Sequence, residues 1–182
     1  GTHDAYVAIM KGVILKINPQ ATIVDITHWI DPQDLCQAAY TIAGSYRYFP
    51  AETVHIVVVD PGVGSRRAIV ALRLEGQTFL APDNGVLSLF LEKDQIEKIV
   101  RVENTDYFFK PVSRTFHGRD VFAPVGAHLS LGLPLDRLGA QIQSDTLVCL
   151  DFVQPRLEKN GRVSGTVIDI ARCGNLLTNS EW

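Results

Sequence analysis

Residues 54–67, VHIVVVDPGVGSRR, give the strongest indication of the fold. Its first six residues are apolar except for His55, which we predict to be a hydrogen-bonded core histidine. Continuous apolar runs of this kind are typical of strands that are covered on both faces of a parallel sheet. The run ends at Asp60, followed by a turn with two glycines. Because ligands bind at the carboxyl ends of strands in open α/β sheets, the segment predicts a buried strand and the edge where a site would lie.

Two helices and one strand are predicted before this segment. Apolar residues at helical spacing from Tyr6 to Ile17 predict a first helix, which Asn18-Pro19 would end. Residues 21–26 are rich in β-branched side chains and predict a strand. Asp31-Pro32 predicts the N-cap and first-turn proline of a second helix that ends near Tyr46. The order α, β, α, β predicts an α/β domain with a mostly parallel sheet.

The patterns change along the rest of the chain. Three strands and two helices are predicted at 68–74, 78–81, 99–102, 86–91 and 121–129, with the first two strands forming a hairpin. From about Leu147 the chain is strand-like, Asn160-Gly161 is a hairpin signal, and no long helix follows. We therefore predict an α/β domain over 1–143 and the start of a β domain over 144–182. The chain opens without an initiator Met and stops after an apolar run, so we expect it to be part of a longer protein.

Composition excludes several classes of protein. The 182 residues include 17 Lys+Arg and 20 Asp+Glu, a formal net charge of -3, which argues against a nucleic-acid-binding protein. The longest stretch without a charged residue, Val121–Leu135, is shorter than the roughly 18 apolar residues that a membrane span needs. The three cysteines, Cys36, Cys149 and Cys173, fit neither a disulfide framework nor a structural zinc site. We expect the cytoplasm as compartment, with no membrane partner.

Three polar segments hold candidate functional residues: the turn after Asp60, the segment 82–85 (PDNG) and the segment 115–120 (TFHGRD). Each is ambiguous by itself. The Gly-x-Gly of the first turn lacks the third glycine of a dinucleotide-binding fingerprint, and a carboxylate at a strand end is often only a cap or loop anchor. Imidazole and carboxylate groups are also ordinary metal ligands, which leaves a metal site as an alternative for His117, Asp60, Asp83 and Asp120. No metal-ligand spacing supports it, and we predict no metal and no cofactor.

Seven segments of the chain, taken together, identify a protein family more specifically than any one of them does. They are MKGV (10–13), IVDITH (23–28), PQD (32–34), VDPGVGSRR (59–67), APDNGVL (81–87), TFHGRDVFAP (115–124) and GNLLTN (174–179). In this order they closely resemble the S-adenosyl-L-methionine (SAM) hydroxide adenosyltransferase family, the adenosine-forming SAM hydrolases related to fluorinase and chlorinase enzymes. The resemblance covers nearly the whole chain.

The resemblance implies a fold, an assembly and a reaction. The fold is an N-terminal Rossmann-like α/β domain followed by the first part of a C-terminal β-barrel domain. The assembly is a homotrimer whose active sites lie between one subunit's N-terminal domain and its neighbour's C-terminal domain. The reaction is hydrolysis of SAM to adenosine and L-methionine through attack of water or hydroxide at the 5′ carbon, with SAM as substrate.

The resemblance also assigns residues. The catalytic set falls on Asp60, Arg67 and His117. In the halogenating relatives the positions that match Asp60 and His117 carry other residues, so the complete set favours hydrolysis over halide transfer. The implied substrate contacts are Asn175 to the nucleoside, Phe116 beside it, and Gln33 and Asp4 near the pocket.

Elementary chemistry suggests how the three catalytic residues divide the work. A sulfonium leaves as a neutral thioether, so the nucleophile needs help and the leaving group does not. His117 can accept a proton from water or position it. Arg67 stays protonated and would stabilise a hydroxide, with Asp60 orienting the guanidinium.

Two departures from the family motivate an alternative. Ala171 and Cys173 stand where the family has an Asp and a Phe before the Gly-Asn pair. In the family, the Asp would hold the methionine amino group and the Phe would stack on adenine. The alternative function is therefore a binding module that holds SAM or adenosine without chemistry, and a SAM-dependent halogenase is a weaker third hypothesis.

Overall fold

The computed structural model describes residues 4–91, 93, 95–170 and 173–179. The chain forms two compact units, residues 1–149 and 150–182. The sequence predicts a domain boundary after residue 143, and that boundary stays a prediction.

A four-stranded sheet in the order β1-β3-β2-β4 forms the centre of the first unit. The strands are β1 (Val54–Ile56), β2 (Ile69–Leu74), β3 (Gln77–Pro82) and β4 (Ile96–Arg101). β1 and β3 are parallel, whereas β2 is antiparallel to both β3 and β4. The expected α/β class is confirmed, but the mostly parallel sheet is wrong for the described strands. The reason is the tight turn at Glu75-Gly76, both with positive φ, because a two-residue connection can join only antiparallel strands.

The predicted strand at residues 21–26 is also wrong, since the segment forms no ladder with any described strand. The side chain of Val24 is 61% exposed, and Ile26 is exposed as well. The β preference of branched residues reflects packing against neighbouring strands. Without such a neighbour here, the segment remains irregular.

Helices cover both faces of the sheet. They are α1 (Tyr6–Ile17), α2 (Leu35–Ser45), α3 (Ser88–Leu91), a π-helix (Gly118–Phe122) and α4 (Ala123–Ser130), with short 3₁₀ turns at Tyr46–Tyr48, Thr105–Tyr107, Leu135–Arg137 and Ser144–Thr146. Side chains of α2 and α3 lie in one hydrophobic cluster, and side chains of α4 lie in another. Within the part of the chain that the structure describes, none of the helices could span a lipid bilayer.

The apolar run after residue 53 contacts both clusters, as the sequence predicts. Val57 and Val59 pack against one cluster, and Val54 and Ile56 pack against the other. Because successive side chains of a strand point to opposite faces, this strand is covered on both sides. His55 is buried within it, 2.6 Å from the side-chain oxygen of Gln77, which confirms a hydrogen-bonded core histidine.

The two predicted long helices before β1 are confirmed, with one correction at the second. The N-cap of α2 is Asp34, whose carboxylate accepts a hydrogen bond from the backbone N–H of Gln37 at 2.8 Å. Asp31-Pro32 lies one turn earlier. Gln33 has a φ of 69°, which is incompatible with a right-handed helix, so the helix can begin only after it.

The described residues of the second unit form two short antiparallel strand pairs. β5 (Arg156–Leu157) pairs with β6 (Val163–Ser164), and β7 (Val167–Ile170) pairs with β8 (Leu176–Thr178). The first hairpin turns at Gly161, which has a φ of 79°, as the Asn-Gly signal predicts. In the second, Asn179 donates to the carbonyl oxygen of Val153 and accepts from the N–H of Thr166 at 2.8 Å.

Candidate active site

A nearly buried ion pair lies beyond the carboxyl end of β1. The Nε of Arg67 lies 2.8 and 2.9 Å from the two carboxylate oxygens of Asp60, and one Nη also donates to that carboxylate. The side chains of Arg67 and Asp60 are only 8% and 5% exposed. A bidentate pair of this kind holds the guanidinium in one plane and one direction.

The same guanidinium reaches His117. One Nη of Arg67 lies 2.9 Å from Nδ1 of the imidazole. A guanidinium can only donate hydrogen bonds, so Nδ1 accepts, and a neutral ring then carries its proton on Nε2. Asp60, Arg67 and His117 therefore form one connected set with Arg67 at its centre.

The environment of His117 favours the neutral imidazole. Burial lowers the pKa of His117 below its usual value, and the charge of Arg67 lowers it further. The carboxylates of Asp60 and Asp120 oppose this shift without cancelling it. A protonated ring would also turn Nδ1 into a donor facing another donor, and the hydrogen bond from Arg67 would be lost.

A glycine explains how the two loops of the site approach each other. Gly64 has a φ of 78°, a conformation that side chains with a β-carbon rarely adopt. A β-carbon there would also collide with the backbone carbonyl oxygen of Arg114. Close contact between the turn after Asp60 and the loop before His117 therefore depends on this glycine.

Two side chains of the PDNG segment form hydrogen bonds with the backbone of neighbouring segments. The Asn84 side chain donates to the carbonyl oxygen of Val59 at 2.8 Å, immediately before Asp60, and accepts from the N–H of Val86 at 3.2 Å. Asp83 accepts from the N–H of Val148 at 2.9 Å. These two side chains serve as loop anchors, which is one of the alternatives that the sequence leaves open.

Phe116 precedes His117 and contacts two side chains. The ring of Tyr6, on α1, meets it edge to face with centroids 4.7 Å apart. The guanidinium carbon of Arg119 lies 4.9 Å from the centre of the ring. Phe116 is half-buried, so it is neither a plain core residue nor a free surface ring.

Two of the remaining predicted contacts, Gln33 and Asp4, do not join this set. Gln33 and Asp4 are exposed in the first unit, Gln33 with its positive φ just before α2 and Asp4 just before α1. Asn175 is exposed in the second unit, and Cys173 beside it is exposed with a free thiol. Ala171 lies outside the described residues.

Arg67 also occupies the place that a metal ion would need between Asp60 and His117. The other two residues of the metal alternative are engaged elsewhere, Asp83 by a backbone N–H and Asp120 by Arg119. Within the part of the chain that the structure describes, no three His, Cys, Asp or Glu side chains are grouped as metal ligands.

The sequence interpretation missed the roles of Asn84 and Asp120. Both belong to quoted motifs, but neither spacing nor residue type shows that Asn84 bonds to the backbone before Asp60. The sequence suggests Asp120 as a ligand in the metal alternative. In the structure it is completely buried.

The chain is similar to proteins of one family. Residues 1–139 match the SAM hydroxide adenosyltransferase N-terminal domain. An (R)-S-adenosyl-L-methionine hydrolase of Salinispora tropica is 37% identical over 177 residues, which cover 97% of this chain and 67% of that protein. A fluorinase of an Actinoplanes species is 32% identical over 203 residues, covering 98% of this chain and 68% of that protein.

A solved structure is also similar to this chain. The crystal structure of an uncharacterized conserved protein from Thermotoga maritima has a TM-score of 0.93 and 41% sequence identity, covering 98% of this chain and 68% of that chain. This chain therefore spans about two thirds of the length of the proteins that it matches.

Proposed function

Because the chain belongs to the SAM hydroxide adenosyltransferase family, we propose that it hydrolyses S-adenosyl-L-methionine to adenosine and L-methionine. The observation that carries the proposal for this site is the position of Arg67, which donates to both Asp60 and His117. All three residues of the catalytic set that the resemblance implies are present in this chain. The resemblance gives this complete set to the hydrolases, whereas the halogenating relatives carry other residues at two of the three positions.

The reaction balances without a cofactor or a redox partner. The oxygen of water or hydroxide forms a bond to the 5′ carbon as the carbon–sulfur bond breaks, and that electron pair neutralises the sulfonium. Water as nucleophile releases one proton to the solvent, whereas hydroxide releases none. Since methionine leaves as a neutral thioether, the site must supply a well-placed oxygen nucleophile.

The geometry favours a positioning role for His117 over acceptance of the proton. Its Nδ1 is engaged by Arg67, so the neutral ring offers an Nε2–H donor rather than a free lone pair. The lowered pKa of His117 keeps the ring in that neutral form. A hydroxide would then accept from Nε2 of His117 and be stabilised by the charge of Arg67, whose direction Asp60 sets.

Substrate contacts and architecture extend the proposal. Phe116 would contact the nucleoside, and Asn175, Gln33 and Asp4 would complete the pocket, as the resemblance implies. We further propose a Rossmann-like N-terminal domain, a C-terminal β-barrel and a homotrimer with active sites between subunits. Three free cysteines support the cytoplasm as its compartment.

The test is product formation from SAM by the full-length purified protein, with no metal or halide added. Equal amounts of adenosine and methionine are expected, with ¹⁸O from labelled water appearing in the 5′-hydroxyl group of adenosine. His117→Ala should abolish release, whereas His28→Ala, at a half-buried histidine paired with Asp25, should not. Product formation unchanged in His117→Ala would remove that residue from the mechanism.

The same experiment separates the alternatives. The exposed cysteine at position 173, where the family has an aromatic ring, favours a binding module as second candidate. A rise in melting temperature with SAM but no methionine release would establish that function. Chloride-dependent formation of a 5′-halogenated nucleoside would instead identify a halogenase.

A further inference from the structure

Asp120 is a buried carboxylate that the proposed reaction does not use. Its exposed fraction is 0%, and among the described residues no other Asp or Glu belongs to the buried class. One oxygen accepts from Arg119 Nε at 2.6 Å, and the other accepts from Arg119 Nη at 3.0 Å and from the N–H of Ser113 at 2.7 Å. Burial of a carboxylate opposes folding unless the group is paired and hydrogen-bonded, so its presence here calls for a role.

These bonds close the loop that carries His117. The Asp120 side chain holds the N–H of Ser113, before His117, and the backbone carbonyl of Asp120 accepts from the N–H of Phe109 at 2.8 Å. The N–H groups of Arg119 and Asp120 both donate to the carbonyl oxygen of Phe116. His117 thus lies between two points that are tied to the same residue.

The hydrogen bonds of Asp120 act as a clamp on the loop that carries His117. The unusual backbone directly after His117 fits that role. His117 is the residue directly before the π-helix Gly118–Phe122, and such wide turns are frequent at functional sites. Gly118 faces Met10 of α1, where an added β-carbon would lie 3.0 Å from the sulfur. The π-helix is therefore held against α1 on one side and by the bonds of Asp120 on the other.

Asp120 also orients the cation beside Phe116. Arg119 donates two hydrogen bonds to the Asp120 carboxylate while its guanidinium lies over the ring of Phe116. Asp120 therefore influences two adjacent residues. It acts on Phe116 through Arg119, and on His117 through the backbone of the loop.

We propose that Asp120 is a positioning residue of the candidate active site, whose buried carboxylate holds the His117 ring in reach of Arg67. The inference deepens the proposed function and rests on it. It assigns to Asp120 a role in the geometry and charge of the site, without contact to the reacting atoms.

Electrostatics provides a readout that a purely structural residue would not move. The charged groups that act on His117 are Arg67, Asp60 and Asp120, and the charge of Asp120 raises the pKa of His117. Removal of that charge should lower the pKa of His117 further. A residue that only helped the chain to fold would leave that pKa unchanged in a folded variant.

The experiment compares Asp120→Asn with Asp136→Asn in the full-length protein. Asp136 is an exposed carboxylate paired with Lys98, so its variant controls for the loss of an ion pair elsewhere. The pKa of His117 is measured by NMR titration of the imidazole carbons, with the His117 signal assigned from its loss in His117→Gln. Turnover of SAM is measured on the same samples.

In Asp120→Asn we expect a lower pKa of His117 and a fall in kcat of about 10- to 100-fold, the range that small displacements in active sites produce. The KM for SAM should change much less, and Asp136→Asn should match the wild type in every measurement. A folded Asp120→Asn protein with the wild-type pKa of His117 would overturn the proposal.

Two further outcomes remain decisive. If Asp120→Asn does not fold, Asp120→Glu keeps the charge but moves the carboxylate by one methylene group. A fall in its kcat of about tenfold would support the clamp, and wild-type kcat would overturn it. If the wild type itself releases no methionine, the proposed function fails, while the NMR titration still tests the coupling of Asp120 to His117.

Discussion

Arg67→Lys tests the central element of the site, because it keeps the positive charge and removes the guanidinium geometry. Arg67 lies within hydrogen-bond distance of both Asp60 oxygens and of Nδ1 of His117. A lysine ammonium is a compact donor that lacks the planar fork. It can satisfy one side of this bridge but cannot reproduce both sides at once.

The expected fall in kcat of Arg67→Lys follows from the free energy of the hydrogen bonds that the lysine would lose. Two hydrogen bonds, at about 1 to 1.5 kcal/mol each, amount to roughly 2 to 3 kcal/mol. Since 1.36 kcal/mol is a factor of ten in rate, kcat should fall by about 30- to 160-fold if the bridge acts in the transition state. Asp60, at 5% exposure, would also keep part of its charge uncompensated and lower the free energy of unfolding.

The assay is SAM hydrolysis followed as adenosine and methionine release, with Arg66→Lys as the matched control. Arg66 is exposed and adjacent in sequence, so its replacement should leave kcat within about twofold, as surface substitutions usually do. Arg67→Lys with turnover within threefold of the wild type, in a folded protein, would refute the argument that both hydrogen-bonding directions of the guanidinium are needed.

Three further predictions follow from the structure. Gly64→Ala should lower the free energy of unfolding by about 1 to 3 kcal/mol, because the backbone φ is positive and a carbonyl oxygen blocks the β-carbon. Gly12→Ala, in open space on α1, should instead raise it by about 0.5 to 1 kcal/mol in the same urea titration. Burial lowers the pKa of His55, so the unfolded state binds the proton more tightly. The stability from this neutral histidine should be complete above about pH 6.5 and be lost as pH falls below that value; unfolding free energies that do not differ between pH 7.5 and 5.5 would contradict it. Asn84→Asp removes the donor to the backbone carbonyl of Val59, directly before Asp60, and should lower kcat, whereas Asn104→Asp, which removes the same kind of bond elsewhere in the chain, should leave kcat unchanged.

Local patterns predicted those elements whose formation depends on local sequence. The periodicity from Tyr6 to Ile17 predicted α1, and the apolar positions after Leu35 predicted α2. The two runs around Glu75-Gly76 predicted the β2–β3 hairpin. In each case the signal and the hydrogen bonds lie within a few residues of each other, so the sequence is sufficient.

Elements that depend on a distant partner were not predictable in this way. Residues 21–26 have strand composition, but a strand requires a neighbour, and no described strand pairs with them. The mostly parallel sheet is wrong partly for a related reason: an apolar run predicts coverage on both faces but does not predict the direction of strands that pair across a long separation, such as β2 and β4. Tertiary pairing decides both points.

For the candidate site, the sequence by itself identified the residue types and the motifs that contain Asp60, Arg67 and His117. The folded protein adds that Arg67 lies between the other two, so that Nδ1 of His117 accepts a hydrogen bond. The physical reason is that His117 lies 50 positions from Arg67 in the chain, so their contact depends on the packing of two separate loops. The burial of Asp120, which turns an ordinary acidic residue into a clamp on one of those loops, is likewise a property of that packing.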